Sequence, residues 1–465
     1  MTPQPSRSAD QPAPSRGEPR ELTLAVGAPA HGGHCVARPV DDPGGRVIFV
    51  RHALPGETVR ARLTEMTSRT WRADAVEILQ ASPDRVESVW PEAGPAGVGG
   101  GELAHVALDA QRTWKRWVLA DCLRRIGGQE VADAVAALPE ASAAAAVPIE
   151  PMPTDAAAQA SNSARRRALA GTATRTRVSL TVGEDGRPGM HAFRSGTVLP
   201  LRRLPLAVDA ITEIGLLERS RWRAHYRPGM RIEAIAPSGG EPVVLLDERL
   251  LTAQARSTGR RRVREVVDAS ALGLGELTYS VHAEGFWQVH VDAPRVLVER
   301  VVRGALGEDL EGAAGSRVLE LYSGAGLFTL PLAALVGSGG EVVSLEGNEQ
   351  AVRDARRTLH DQPSARLASG RVSARSVREL AGSFTGGRPD VVVLDPPRQG
   401  AGREVIEAVG ALGAERIVLV ACDPAALARD LGTLLRSGYA LGSMSALDMF
   451  PHTHHFETIA VLERS

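Results

Sequence analysis

Cysteine is scarce in this 465-residue sequence: Cys35, Cys122 and Cys422 are the only three, and none falls in a C-x-x-C or other ligand spacing. That excludes a disulfide framework, a zinc ribbon and an all-cysteine iron–sulfur site, and the odd count leaves at least one thiol free. Long hydrophobic runs are missing as well. No stretch of about 18 apolar residues occurs, and the opening segment MTPQPSRSADQPAPSRGEPR is polar rather than charged and then apolar. No membrane span and no secretory leader is therefore expected, and the expected location is cytoplasmic. Lysine is nearly absent, Lys115 being the sole one, and the net charge is only −1. What the chain does have is 43% hydrophobic against 23% charged residues, enough for a sizeable core. Its length fits two to four domains.

The near-neutral charge is unevenly spread. Arginines cluster at Arg165 to Arg167, Arg202 and Arg203, Arg219 through Arg231, and Arg256 through Arg264, whereas acidic residues gather around Glu308 to Glu311 and Glu341 to Glu349. A guanidinium fork stays charged and donates two hydrogen bonds at once, which suits a polyanion. The same clusters also fit a solvated surface in a chain that prefers arginine, and charge alone does not choose between the two.

Residues 1–20 are rich in Pro, Ser, Arg and Gln without apolar periodicity and read as a disordered tail. Over residues 21–82, short apolar runs such as RVIFV and TVRARL are punctuated by Gly and Pro turns, the pattern of a small OB-like β-barrel of about five strands. Residues 83–284 read as a mixed α+β central domain. There QRTWKRWVLADCLRRI has helical spacing at Trp114, Trp117, Val118, Cys122 and Ile126, and the alanine-rich stretch 131–147 fits a helix or a linker. Residues 285–465 alternate apolar strands with helical segments: RVLELY (317–322), EVVSLE (341–346), a short strand near Arg371, DVVVLD (390–395), RIVLVAC (416–422) and a closing pair of strands. Such alternation means a parallel sheet covered on both faces, a doubly wound α/β domain whose ligands bind beyond the carboxyl ends of the strands.

The residues at those strand ends carry the chemistry. The first strand runs into Tyr322-Ser-Gly324-Ala-Gly326-Leu327, where glycines let the backbone turn and approach a ligand at a helix N-terminus. The second strand ends at Glu346, about 20 residues on, where a carboxylate can accept from both ribose hydroxyls of an adenosine ligand. The fourth ends in Asp395-Pro-Pro-Arg398, and the two prolines stiffen the exit and hold the aspartate at the strand tip. The fifth ends at Cys422, followed by Asp423 and Pro424 opening a helix. A thiol at a helix N-terminus is expected to have a lowered pKa and to face the cleft, which makes Cys422 a candidate nucleophile. Cys35 and Cys122 read as small buried hydrophobes. The last loop, Asp448 to Thr458, holds His452, His454, His455 and Glu457. His454 and His455 are adjacent and expected to point differently, which argues against a metal site, and Glu457 is placed to act as a general base on the same cleft.

Taken together, VLELYSGAGLFTLPLA, Glu346, DPPRQG, ACDPAALARDL and FPHTHHFET resemble the S-adenosylmethionine-dependent RNA uracil-5-methyltransferase family, in order and approximate spacing across its catalytic domain. HGGHCVARP and VRHALPGETVRARL look like the TRAM RNA-binding domain, and SPDRVESVWP and QRTWKRWV resemble the family's central region. The resemblance implies a class I methyltransferase domain and S-adenosylmethionine as cofactor. It further implies methyl transfer to C5 of a uridine in structured RNA, with ribosomal RNA favoured over transfer RNA; a monomer is expected, and the lack of an apolar run leaves no membrane partner expected. It assigns to Cys422 addition at C6 of uracil and to Glu457 removal of the C5 proton. Asp395 would hydrogen-bond the uracil or position the cofactor, Arg398 would touch the substrate, and Gln288, Tyr322, Gly324, Gly326, Leu327 and Glu346 fall at cofactor positions. Phe286 and Trp287 stack on a base or pack under the sheet, packing being favoured.

The sequence also departs from the family. Where many relatives bind a four-iron, four-sulfur cluster through C-G-G-C, residues 98–101 read V-G-G-G, so no cluster is expected through them. Leu327 stands where a cofactor-binding asparagine is usual, the segment near Ser376 lacks the usual Asn or Asp, and ACDP replaces S-C-N-P while keeping the cysteine. These changes motivate an alternative, a catalytically silent RNA-binding or ribosome assembly factor. Cytosine-5 methylation is disfavoured because the proline motif lacks its cysteine, and amine methylation because Arg398 is not aromatic.

Overall fold

The computed structural model describes residues 20–141 and 146–465. The tail expected over residues 1–20, Arg20 apart, and residues 142–145 of the alanine-rich stretch lie outside the described residues. The described residues divide into two compact units, 20–30 with 34–83, and 31–33 with 84–141 and 146–465.

In the first unit, strands β1 (Glu21–Ala30), β2 (His34–Pro39), β3 (Ile48–Arg51), β4 (Thr58–Met66) and β5 (Trp71–Gln80) close a barrel in the order β1-β2-β3-β5-β4. Alternation puts Leu24, Cys35, Ile48, Val50, Val59 and Ala61 inside. The buried Arg51 guanidinium donates to both oxygens of Asp74 at 2.9 Å, joining the parallel neighbours β3 and β5. Burial raises the pKa of Cys35, as its small-hydrophobe reading requires.

The second unit opens with helix α1 (Leu108–Cys122), a π-turn, and α2 (Gln129–Ala136). Trp114, Val118 and Cys122 turn inward, while Trp117 and Ile126 are exposed. Strand β6 (Ile149–Pro151) and helices α3 (Pro153–Gln159) and α4 (Ala164–Ala168) follow. Strands β7 (Arg177–Val182), β8 (Pro188–His191), β9 (Val198–Pro200), β10 (Arg231–Ile235), β11 (Val243–Leu246) and β12 (Arg249–Thr252) form a sheet ordered β12-β11-β10-β7-β8-β9, with α5 (Asp209–Thr212) and α6 (Ser220–Arg223) between β9 and β10. Its core gathers Trp222, Leu180, Ile232 and Val244. A hairpin, β13 (Arg262–Asp268) with β14 (Glu276–His282), leads into α7 (Ala293–Leu306).

The remaining elements are β15 (Arg317–Leu321), α8 (Thr329–Val336), β16 (Glu341–Glu346), α9 (Glu349–Thr358), β17 (Ala365–Ser369), α10 (Ala374–Ala381), β18 (Val391–Leu394), α11 (Arg403–Ala411), β19 (Arg416–Ala421), α12 (Pro424–Arg436), β20 (Tyr439–Asp448) and β21 (Glu457–Arg464). They build an eight-stranded sheet ordered β17-β16-β15-β18-β19-β21-β20-β6. The short strand expected near Arg371 lies just before it, over Ala365–Ser369. The strand signal missed entirely was β6, three residues whose ladder with β20 alone makes them a strand.

Period-two alternation divides the apolar strands between two cores. Val318, Val391, Val393 and Val418 pack under α7, α8 and Ala355 of α9. Leu319, Leu321, Val392, Leu394 and Leu419 pack under α10, α11, α12 and the first two helices. β15 to β19 are mutually parallel, and β21 is antiparallel to both β19 and β20. Because β6 is parallel to β20, the carboxyl ends of every other strand share one edge with the amino end of β21. The chain reverses its winding between β15 and β18, the crevice where open α/β sheets take ligands.

Candidate active site

Five segments meet at that edge. After β15 the backbone passes through Tyr322 at φ 64°, Gly324 at 54° and Gly326 at 87°. A left-handed tyrosine is strained, and it is held by the Tyr322 and Ser323 amides, which donate to Leu345 O at 2.8 and 3.3 Å. At Gly326 a Cβ would come within 3.4 Å of Ala355 and Leu359, so the loop lies close against α9, whereas Gly324 faces open space. Leu327 is buried, and its carbonyl accepts from the Tyr279 hydroxyl at 3.0 Å. Glu346, at the tip of β16, accepts from Gly324 N at 2.9 Å and Asn348 N at 2.6 Å. The ribose-type glutamate thus also fixes the glycine loop. Ser376, where the adenine-side residue is absent, completes a capping box with Ser373 at the start of α10.

Glu320 was not singled out in the sequence, although it sits inside the quoted motif. It is fully buried, Thr329 Oγ1 donates to its Oε2 at 2.5 Å, and its Oε1 has no partner. Burial, then the charges of Asp395 and Glu346, push its pKa up to about 8. Asp395 behaves alike: burial and the neighbouring Glu346 raise it to about 7. Glu457 opens β21 beside β19 with Oε1 unpartnered, and burial and Asp395 raise its pKa well above the carboxylate range while Arg398 opposes. The structure therefore places four carboxyls, Glu320, Glu346, Asp395 and Glu457, along the edge around the switch point, with the exposed Arg398 as the compensating cation.

Cys422 lies at the end of β19, half-buried, just before Asp423 caps α12 by accepting from the Ala425 and Ala426 amides at 3.0 and 2.8 Å. The expected lowering of its pKa is not what the structure gives. Burial, then Glu457 and Asp395, push the thiol up to about 12, with Arg398 acting the other way. The helix N-terminus is already satisfied by Asp423, and two carboxyls outweigh what remains of it.

Gln288 is buried in the loop between β14 and α7. Packing was favoured for both of its aromatic neighbours, and they divide. Trp287 is 4% exposed and tilts onto Tyr279 at 5.1 Å between ring centroids, whereas Phe286 is 75% exposed. His454 and His455 do not diverge: their rings stack at 3.9 Å between centroids and 41° between planes. Burial, then His454 and Arg398, lower the pKa of His455 to about 3. Among the described residues no group of three or more His, Cys, Asp or Glu is arranged to hold a metal ion. At residues 98–101, a Cβ on Gly101 would fall 2.7 Å from Ala93 Cβ and 2.9 Å from the Trp90 ring, so that volume is occupied by packed side chains.

Lys115 was noted only as the sole lysine. It is completely buried, and its ammonium donates to Asp448 Oδ1 and, at 3.0 Å, to Phe450 O. Gln111, one turn earlier, donates to Leu103 O and Val106 O and accepts from His452 N at 2.7 Å. These two residues of α1 fix the start of the loop that ends at Glu457. The signal in the sequence was a charge on the apolar stripe of a helix, one turn from Gln111 and Leu119.

A doubly wound sheet with an adenosine-type loop, an acidic switch point and a strand-end cysteine defines a class I methyltransferase. The tRNA (uracil-5-)-methyltransferase family model matches residues 275–465, and the TRAM domain model matches residues 18–76. An uncharacterized RNA methyltransferase of Streptomyces avermitilis is 38% identical over 95% of this chain and 98% of its own length. A 23S rRNA (uracil(1939)-C(5))-methyltransferase, RlmD, of Acinetobacter baumannii is 30% identical over 94% and 92%. The crystal structure of a Pyrococcus abyssi tRNA (uracil-54, C5)-methyltransferase in complex with S-adenosyl-L-homocysteine shares the fold, at TM-score 0.61 and 20% identity over 94% of this chain and 99% of that one. The chain belongs to the RNA (uracil-5-)-methyltransferase family and is an S-adenosylmethionine-dependent enzyme. No helix among the described residues is long and apolar enough to cross a membrane.

Proposed function

We propose that this enzyme methylates C5 of a uridine in structured RNA, ribosomal in preference to transfer RNA, through a covalent bond between Cys422 and C6. The observation that carries the reading is the meeting of one thiol, Cys422, with two carboxyls, Glu457 and Asp395, and one cation, Arg398, at a single sheet edge. Ribosomal RNA is favoured because the Acinetobacter baumannii relative named for it matches over nearly the whole chain, TRAM-like barrel included.

The residues fit the cofactor. Bound S-adenosylmethionine would supply an electrophilic methyl on a cationic sulfur, and Glu320, Asp395 and Glu457, which burial and mutual repulsion hold toward their protonated forms in the free protein, would be favoured to ionise beside that cation. Glu346, Gly324, Gly326, Tyr322, Leu327 and Gln288 would hold it, with Glu346 and the glycine loop at the adenosine. C5 of uracil is a weak nucleophile. Addition of the Cys422 sulfur to C6 moves the C5–C6 electron pair toward the C4 carbonyl, and C5 of the resulting enolate would take the methyl as its bond to the cofactor sulfur breaks and the neutral thioether leaves. The thiol proton must leave as the sulfur bonds, and Asp395, poised near neutral pH, is placed to accept it. Glu457, which must be ionised at that point and whose carboxylate form Arg398 favours, then removes the C5 proton, the C5–C6 double bond reforms and the sulfur leaves. Asp395 and Arg398 also orient the uracil. The target base must leave its stack to reach this cleft.

Tritium release from RNA labelled at C5 of uracil tests the reading. Wild-type protein with S-adenosylmethionine and ribosomal RNA from cells lacking the gene releases tritium, and Cys422→Ala abolishes release while still binding RNA. No release from any RNA leaves the silent binding factor as the reading, and release by Cys422→Ala removes the nucleophile.

A further inference from the structure

Helix α4 has no core face: none of its residues is buried, and Arg165, Arg166 and Arg167 are all exposed. Among the described residues no carboxylate pairs with any of the three, and the one side-chain bond they make is from Arg167 to Ser161 O at 2.7 Å. An exposed five-residue helix with three consecutive arginines has nothing to gain from packing, so its geometry must be imposed from outside it. It is imposed by the edge of the sheet that carries the chemistry. β6 runs parallel to β20 and so releases the chain at the carboxyl edge, beside Asp448. At one end of the α3–α4 segment, Thr154 N donates to Asp292 Oδ2 at 2.7 Å, and Asp155 Oδ2 meets His290 Nε2 at 3.1 Å. At the other end, Gly171 N donates to Asp155 Oδ1 at 3.1 Å. Gly171 sits so close to the catalytic-edge loop that a Cβ there would lie 2.8 Å from His452 Nε2 and 3.0 Å from Pro451 Cβ. The segment is therefore bolted to the loop of Gln288 on one side and to the loop of Glu457 on the other. Successive helical residues turn by about 100°, so the three guanidiniums fan over roughly 200°, a bracket rather than a flat patch.

We infer that Arg165, Arg166 and Arg167 form a phosphate clamp at the mouth of the active site, gripping the backbone of the RNA strand that flanks the target uridine. The inference rests on the RNA reading above and adds the surface that holds the strand while one base is extruded. Each guanidinium can donate two hydrogen bonds to a phosphate, and unpaired arginines give up no internal ion pair on binding.

The test is the salt dependence of RNA binding by full-length protein, using the substrate RNA fragment, with the triple variant Arg165→Gln, Arg166→Gln, Arg167→Gln. For every phosphate that the protein no longer neutralises, the slope of log K against log salt becomes shallower by about 0.7 to 0.9. The clamp predicts a slope shallower by two to three phosphates' worth and an affinity about ten- to a hundredfold weaker at about 0.15 M salt. Cofactor binding and Tm stay at the wild-type values because nothing in α4 is packed. A matched removal of charge elsewhere, Arg353→Gln, Arg356→Gln, Arg357→Gln on α9, leaves the slope at its wild-type value. An unchanged slope in the α4 variant overturns the clamp, including the case in which the turn docks an acidic protein instead, and so does an equal effect of the α9 variant. If the wild-type protein releases tritium from the RNA and only the slope prediction fails, the clamp falls and the methyltransferase reading stands. If the wild type neither releases tritium nor binds the fragment, both fall.

Discussion

The free protein keeps Cys422, the proposed nucleophile, as a thiol. Burial and the carboxyls of Glu457 and Asp395 hold Cys422 far from ionisation, so the sulfur becomes reactive only when a cation and a proton acceptor are in place beside it. A cysteine so disposed resists adventitious alkylation. Iodoacetamide labelling of Cys422 is expected to be slow at neutral pH and to rise only in strongly alkaline solution. Asp395→Asn shifts that rise to lower pH, because above its pKa of about 7 the native carboxylate repels the thiolate; an unshifted labelling profile removes Asp395 from the thiol's surroundings. Glu320 gives a second residue-scale expectation. Its folded pKa, about 8, lies above its ordinary value of 4.5, so the folded state holds a proton that the unfolded chain releases. The stabilisation is full below about pH 4 and is lost as pH rises toward 8. Glu320→Gln, neutral at every pH, should therefore unfold at a higher temperature than wild type, by a margin that widens between pH 5 and pH 8 and that calorimetry can follow. A margin independent of pH contradicts the assignment. At this scale the sequence made the strand-tip groups legible, because a strand followed by a turn puts its last residue at the edge. It did not make their protonation legible. Cys422 was read from its helix alone, and what reversed its pKa was burial first and then Glu457, which is 35 positions away in the chain and one strand away in the sheet.

At the scale of elements, α1 matters as much as the strands. Its face buries Gln111, Trp114, Lys115, Val118, Leu119 and Cys122, and from it Lys115 and Gln111 hold residues 448 to 452 at the root of the catalytic-edge loop. Burial lowers the Lys115 pKa, and Asp448 opposes that shift. Removing one member of such a pair leaves a buried charge poorly compensated, at a cost of roughly 3–5 kcal/mol. Lys115→Met should thus lower Tm substantially, and adding Asp448→Leu to it should recover much of the loss, since an apolar pair replaces an ionic one. A double variant no more stable than the single one would show that the pair is not what Lys115 supplies. Helices and apolar strands were legible here because their periods are local properties of the chain. β6 was not, since three residues carry no period and become a strand only through β20. The division of Phe286 from Trp287 was equally hidden: both are aromatic, and it is Trp287 that the fold packs against the Tyr279 ring.

In the second unit, one edge of one sheet collects the residues proposed for the reaction. Parallel strands β15 to β19 deliver the glycine loop, Glu346, Asp395 and Cys422 there, and the antiparallel insertion of β21 between β19 and β20 brings Glu457 back to meet them. That insertion was not legible as a position in the sheet, although both closing strands were legible as strands, and it explains why a residue at the far end of the chain faces the thiol. The fold class, the barrel and the family were all readable from motifs that sit at strand ends, although the sheet order, with β16 outside β15 and β21 inside β20, was not. The division of labour between the sulfur and the carboxylate across that cleft is the central claim, and it has a direct measurement. Glu457→Gln, mixed with S-adenosylmethionine and substrate RNA, denatured and analysed by intact mass, should contain protein joined to one methylated RNA, because the base can be alkylated but the sulfur cannot leave. Protein of unmodified mass at every pH, while methylated RNA accumulates, would mean that no bond to Cys422 forms or that another group removes the proton.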